Sequence, residues 1–520
     1  MAKISFDYMI AADKMAEKGE YESALHYYFL ERNSRNDSDI DVCIGDTYAA
    51  MGLPREAIKH YMTAYAADRY NKDALEGLIV CYKDIDEDAA FYYLHCVLGQ
   101  DGEEFDDFGV DYEPEYPPLT VHDKKDKSEV MDEAVSLLES GNIDGAKELL
   151  ESINRESYQY CDALLARASL AMDKANTTEA MALADEALSV NPDHLGTHIL
   201  KIMVYDSLGD KANAEEWIAK LDALNPKQED EVTKVALCLA NYKNTDLAEK
   251  YILRKLEFAP YDKLMLMCLS AIYAGKGDEH SAFKIANKVC SIYPNDIAVK
   301  EITSRIFSGQ SIKMPDEMFY LKRDWTKDIK QMFLEDIDSI TQPESIKKIK
   351  WLLQNDDDLY LQSAVCALVT GMPEYDNLMN EILIDPFAPA IVKKQILLRR
   401  ICDERTKKVK FVISNIFRSL KVKHPVAPDN LKYAYYYAFI ALAVIELTFE
   451  RRLNREFKRL HEKYEICTDE SKEQLPINAL ATHLFYMTEG GIKERCLELF
   501  DCEQADFDKV SEMLGLQGRD

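Results

Sequence analysis

The sequence predicts an all-α array of stacked helical hairpins followed by a C-terminal helical domain, and three observations carry that expectation. Small alanines recur every 34 residues, at Ala146, Ala180, Ala214, Ala248 and Ala282. Four prolines keep the same step, at Pro192, Pro226, Pro260 and Pro294. A third register, twelve residues before each alanine, reads Ala134, Ala168, Ile202, Ala236 and Ser270. Registers that hold phase across five units mark stacked supersecondary repeats.

One unit, His198 to Pro226, shows the physics. Ile199, Ile202 and Tyr205 recur at helical spacing. Leu208, Gly209 and Asp210 then break the helix, glycine tolerating the left-handed backbone of a tight turn. Ala214, Trp217, Ile218 and Leu221 form a second amphipathic face. Two helices on a short loop approach closely where side chains are small, which accounts for Ala214. Asn225-Pro226 ends the second helix, because proline lacks an amide and clashes with the preceding turn.

The junctions A-L-S-V-N-P-D (187–193) and L-E-F-A-P-Y-D (256–262) complete a pattern that resembles the tetratricopeptide repeat. K-G-E-Y-E-S-A-L-H-Y-Y (18–28) and I-G-D-T-Y-A-A-M-G-L-P-R-E-A-I-K-H-Y (44–61) carry the same signature, with Ala24 and Ala57 at equivalent sites. A weaker pair spans 72–98. Lys255 departs from the pattern by standing at an apolar position, and Asn36 replaces the first proline. The resemblance implies a superhelical solenoid over residues 3–308, in an N-terminal block (1–98) and a second block of five in-phase repeats (128–308).

Between the blocks, 99–127 reads as an acidic linker, with eight acids and no base in 101–116. After a second linker (309–325), residues 326–425 keep helical periodicity without the 34-residue phase. The segments 359–373 and 390–402 resemble HEAT-type hairpins, and β-branched alternation over 408–422 makes a candidate β-hairpin about Ser414-Asn415. Residues 426–520 read as a helical domain. Its apolar run from Tyr433 is interrupted at Glu446, short of the ~18–20 residues a bilayer demands, so a buried helix is expected.

Composition narrows the function classes. Net charge is −30, with −15 over residues 1–128 (13 basic, 28 acidic) and +10 over 391–466 (18 basic, 8 acidic). That balance argues against general nucleic-acid binding and leaves a local anion-binding surface. Its cations are Lys393, Lys394, Arg399, Arg400, Lys407, Lys408 and Lys410, in a stretch continued by Arg405, Arg418, Lys421 and Lys423; Arg451, Arg452, Arg455, Lys458 and Arg459 form a second cluster. Twelve cysteines without a CxxC pair read as reduced thiols of a cytoplasmic protein, and the N-terminus shows no secretory signal. His194 and His198 share a helix face, but H-L-G-T-H lacks the carboxylate of a zinc peptidase helix. No phosphate-binding glycine loop or nucleophile motif occurs, so no enzyme, metal or cofactor is expected.

The resemblance implies that first helices line a groove. Its predicted lining is Met131, Val135, Leu165, Ser169, Met172, Ile199, Met203, Asp206, Leu237, Ala240, Asn241, Met267 and Ala271. Methionine-rich and apolar, this surface suits an apolar or amphipathic peptide or helix of a partner protein. Family members that clamp a terminal carboxylate use Lys, Arg and Asn there, and only Asn241 is present. In the first block Met9, Asp13, Glu17, Val42 and Asp46 favour a basic partner. The expected function is a non-catalytic scaffold or adaptor. The alternative is a regulator whose basic C-terminal region contacts nucleic acid or an acidic partner while the repeats sense a peptide.

Overall fold

The computed structural model describes residues 8–35, 37–100, 125–139, 142–242, 245–310, 312, 314–355, 359–445, 449–467, 475–490 and 493–516. The acidic strip 101–116 lies outside them. Two compact units emerge: Asp106–Leu321, and Met1–Phe105 together with Lys322–Asp520.

The N-terminal block comprises α1 (Tyr8–Glu17), α2 (Tyr21–Ser34), α3 (Ser38–Ala50), α4 (Pro54–Ala67), α5 (Lys72–Tyr82) and α6 (Glu87–Gln100), packed as consecutive pairs. Ala24 and Ala57 are fully buried where partner helices meet. Pro54 opens α4, where a missing amide costs no helical hydrogen bond.

The unit Asp106–Leu321 holds the repeat array. Its pairs are α7 (Ser128–Glu139) with α8 (Ile143–Ser152), α9 (Tyr160–Asp173) with α10 (Thr177–Val190), and α11 (Leu195–Ser207) with α12 (Lys211–Leu224). They continue with α13 (Glu229–Asn241) on α14 (Thr245–Phe258) and α15 (Lys263–Gly275) on α16 (Glu279–Ile292), and α17 (Ile297–Phe307) packs on the last pair. All five 34-step alanines are buried, as are their first-helix partners Ala134, Ala168, Ile202, Ala236 and Ser270. Ser270 is tolerated because its hydroxyl donates to the Ala282 carbonyl at 2.9 Å. Lys255 is buried too, with its ammonium on Glu229.

A further 34-residue register starts the second helices. Asn142, Asn176, Asp210 and Asp278 each accept the amide three residues on, at 3.1–3.3 Å, filling one of the open donors of a helix start. The residue before the caps Asn176, Asp210 and Asp278 makes the turn. Gly209 and Gly277 have φ of 73° and 78°, and Ala175 holds the same place at φ 56°. An L-residue meets a steric penalty there of ~1–2 kcal/mol, against the smaller entropy cost of glycine. Ala175→Gly is therefore expected to stabilise the array by about 0.5–1 kcal/mol, read as a raised urea midpoint at constant m-value. An unchanged or lowered midpoint would contradict the strain.

The helix α18 (Asp316–Glu335) crosses the division between the units. Beyond it come α19 (Pro343–Asn355), α20 (Leu359–Val369), α21 (Asp376–Ile384) and α22 (Ala390–Cys402), with α20 packed on α22. The strands β1 (Lys408–Ile413) and β2 (Ile416–Lys421) form an antiparallel hairpin turning at Ser414 and Asn415, both with positive φ (46° and 61°), as a two-residue turn of matching twist requires. Then follow α23 (Asp429–Ile445), α24 (Glu450–Ile466), α25 (Ile477–Glu489), α26 (Lys493–Leu499) and α27 (Gln504–Leu514). Among the described residues no helix is long and apolar enough to cross a membrane. The apolar α23 instead packs on α22, α24 and α25.

Both faces of the hairpin are packed near its turn. On one side Tyr93 of α6 donates its hydroxyl to the Asn415 carbonyl (2.8 Å) and accepts the Phe417 amide (3.1 Å). Asn415 also donates to Asp86 at 2.7 Å, and Arg69 stacks over Tyr65 and Phe417. The other side meets α21 and α22, and Arg418 donates to the Ala443 carbonyl of α23. The hairpin thus docks on the N-terminal block through Ala66, Asp86 and Tyr93.

Candidate functional site

Two 34-step registers on the first helices define the predicted strip. One reads Val135, Ser169, Met203, Leu237 and Ala271; the other contains Met131, Leu165, Ile199 and Met267. Val135 is 41% exposed and Met203 46%, with Ser169, Asp206 and Asn241 exposed beside them. Met131, Leu165, Met172, Ile199, Leu237 and Ala240 are half-buried. Part of that burial is packing within the array, since Leu165 and Met172 lie on the α9–α10–α11 core and Met131 on the core beneath α7. Leu165 also closes over Gly196, where an added Cβ would fall 2.5 Å from its Cδ2.

The strip closes at the fifth repeat. Met267 is 1% exposed and Ala271 is buried, because α15 is enclosed along Met265–Ile272 and meets α14, α16 and α17. Met267 and Ala271 are therefore core residues, a correction to the predicted lining. Asp316, at the start of α18, comes near enough to Tyr242 to help burial push its phenol up. The open part of the face runs over α7, α9, α11 and α13.

The histidine pair is built into this unit. His194 meets Thr197 (2.7 Å) and Asp162 (3.2 Å), while buried His198 reaches the His194 carbonyl (3.1 Å) and lies edge-on to Trp217. Asp162 is held below the usual carboxylate range, chiefly by its bond to His194. Both rings serve the packing of α9, α11 and α12.

The predicted anion-binding residues scatter. Lys393 is 1% exposed; its ammonium donates to the Val412 carbonyl at 2.8 Å, and burial pulls its pKa down to about 8. It seals the outer edge of β1 and cannot meet a ligand, which corrects its assignment to the surface cluster. Arg400 binds Asn380 (2.7 Å) and faces Asp376 (3.9 Å); Lys410 caps the Ala66 carbonyl at the end of α4. Arg399, Lys407 and Lys408 are exposed and Lys394 half-buried. In the second cluster, Arg455 and Arg459 grip the buried Glu456 at 2.9 and 3.0 Å.

In the N-terminal block, Asp46, Ala49, Tyr61, Asp73, Glu76, Gly77, Val80 and Cys81 line an open cleft of about 340 Å³. Tyr61 donates to Asp46 at 2.7 Å, and Tyr28 to Asp13 at 2.8 Å, fifteen residues apart in both cases. Burial raises the Asp46 carboxyl and Asp73 adds to the effect, while the Tyr61 bond opposes it. Val42, placed on this surface by the sequence pattern, is buried.

No family model matches the chain, and no curated protein does. Solved structures that resemble it include YrrB, described as a TPR protein with an unusual peptide-binding site (17% identity, 35% of this chain, 94% of that one, TM-score 0.26). A tetratricopeptide repeat protein from Parabacteroides merdae (14%, 52% and 96%, TM-score 0.29) and yeast Tom70 (12%, 95% and 94%, TM-score 0.23) are others. At such scores these likenesses carry no argument, and the helical-repeat fold stands on the helix pairs themselves.

Proposed function

We propose that the chain is a non-catalytic interaction scaffold whose array holds an apolar or amphipathic helix of a partner protein. The observation that carries this reading is the open strip on α7, α9, α11 and α13, where Val135 and Met203 stay exposed in register with half-buried Leu237. A helix offers side chains at matching intervals, and thioethers adapt to its shape. Twelve unpaired thiols fit a reducing compartment such as the cytoplasm.

The test is affinity capture with the intact chain beside the variant Val135→Glu, Ser169→Glu, Met203→Glu. These three side chains are exposed, so circular dichroism should be unchanged while helix-bearing partners lose at least tenfold in recovery. An identical partner set from a folded variant would remove the strip from the function.

A further inference from the structure

We propose that the open end of the β1–β2 hairpin binds single-stranded nucleic acid, with Lys407, Lys408, Lys421 and Lys423 on its phosphates and Tyr433 as a stacking face for a base. The ladder register places Lys408 directly opposite Lys421. The Val422 amide donates to the Lys407 carbonyl at 3.0 Å, so 407 and 422 are a hydrogen-bonded pair and 408 and 421 a close, non-bonded one, with Cα atoms about 4.5 Å apart. Like charges so placed destabilise a ladder unless something answers them.

Local carboxylates do not answer them. Asp403 is gripped by Arg405 at 2.9 and 3.0 Å, and Glu404 by Lys432 at 2.8 Å. Lys407, Lys408, Lys421 and Lys423 are all exposed, and among the described residues none of the four pairs with a carboxylate. On the face that Lys408 and Lys421 share, Lys410 is spent on the Ala66 carbonyl, so that face passes from packed to open between Lys410 and Lys408.

An exposed aromatic ring, tied to the end of β2 through His424 and Tyr436, favours nucleic acid over an acidic peptide. His424 bridges the strand ends to α23, bonding the Thr406 carbonyl (2.6 Å) and the Tyr436 hydroxyl (2.9 Å). Tyr433 stands 6.4 Å from Tyr436, ring to ring, and is 41% exposed. Nucleobases stack on such a face while the backbone lies along cations; aspartate and glutamate have nothing to place there. The net charge of −30 does not forbid this, since fields fade beyond about 8 Å at physiological salt.

The experiment is fluorescence anisotropy of the intact protein with a fluorescein-labelled twelve-nucleotide uridine RNA from 50 to 300 mM KCl. Four phosphate contacts predict a slope of log K on log salt of about −3. Lys408→Glu with Lys421→Glu should weaken binding at least tenfold and flatten the slope. Tyr433→Ala should weaken it about tenfold with the slope kept. Arg451→Glu with Lys458→Glu, an equal charge change on α24, should leave most of the affinity. The proposal is overturned by no binding at 50 mM, by equal losses in the two double variants, or by a twelve-residue polyglutamate that competes as well as unlabelled RNA.

Discussion

Gly77→Ala is expected to destabilise the N-terminal block by about 2–3 kcal/mol, although the same change in an open helix stabilises by about 1 kcal/mol. Gly77 lies inside α5, where glycine is otherwise a liability. A Cβ there would sit 2.4 Å from Cζ of Tyr61, and one at Gly45 of α3 would sit 2.6 Å from Cε1 of the same ring. The buried ring is wedged between two helix backbones, and its hydroxyl is tied to Asp46 at 2.7 Å. It cannot retreat from one glycine without striking the other. The reversal of sign is the diagnostic result, read from urea unfolding with hydrogen exchange locating the loss in α3–α5. In a Tyr61→Ala background the clash is gone, and Gly77→Ala should become neutral or stabilising. A neutral or stabilising effect in the intact chain would refute the wedge.

The array was readable because its determinants are local and periodic. Ala146 and its four equivalents name the contact between helices whatever lies beyond the repeat, and all are buried. The cap register at Asn142, Asn176, Asp210 and Asp278 was present in the sequence as well, one residue after the turn position, and marks the second helices more sharply than the prolines do. Lys255 looked like a defect only because its partner Glu229, 26 residues earlier, is invisible to a 34-residue register.

Site residues were legible only where periodicity equals environment. Val135 and Met203 share a register with Ala271, yet α15 is enclosed and the register alone cannot report what packs over it. Lys393 failed for a related reason: charge composition placed it in a basic surface, whereas the fold uses its ammonium to close the edge of β1 at Val412. The grip of Tyr93 on Asn415 and Phe417 spans more than 320 positions and has no local signature. The turn residues Ser414 and Asn415 were recognisable; their docking site was not.

Acidification from pH 7 to 4.5 is expected to cost the C-terminal helices about 2 kcal/mol through His483 alone. His483 is 3% exposed in α25; its ring stacks on Phe507 of α27 at 3.6 Å. Its Nε2 donates to the Phe507 carbonyl at 2.9 Å, and the Ser511 hydroxyl stands 3.1 Å away. Burial is the main reason that its pKa falls from 6.5 to about 4; Lys493 adds repulsion, and the Phe507 bond and Asp508 oppose the shift in part. The unfolded chain takes up a proton near 6.5 and the folded chain only near 4, so the stabilisation is complete above 6.5 and is lost as pH falls through that window. The whole gap is worth about 3 kcal/mol, of which about 2 kcal/mol is lost between pH 7 and 4.5. His483→Gln can still donate to the Phe507 carbonyl but does not titrate. It should start less stable at pH 7, from lost stacking, and lose about 2 kcal/mol less than the parent on going to pH 4.5. Carboxylates titrate alike in both proteins, so the difference between their urea midpoints isolates the imidazole. Parallel stability curves for the two proteins across this range would mean that His483 accepts its proton without opening the α25–α27 contact.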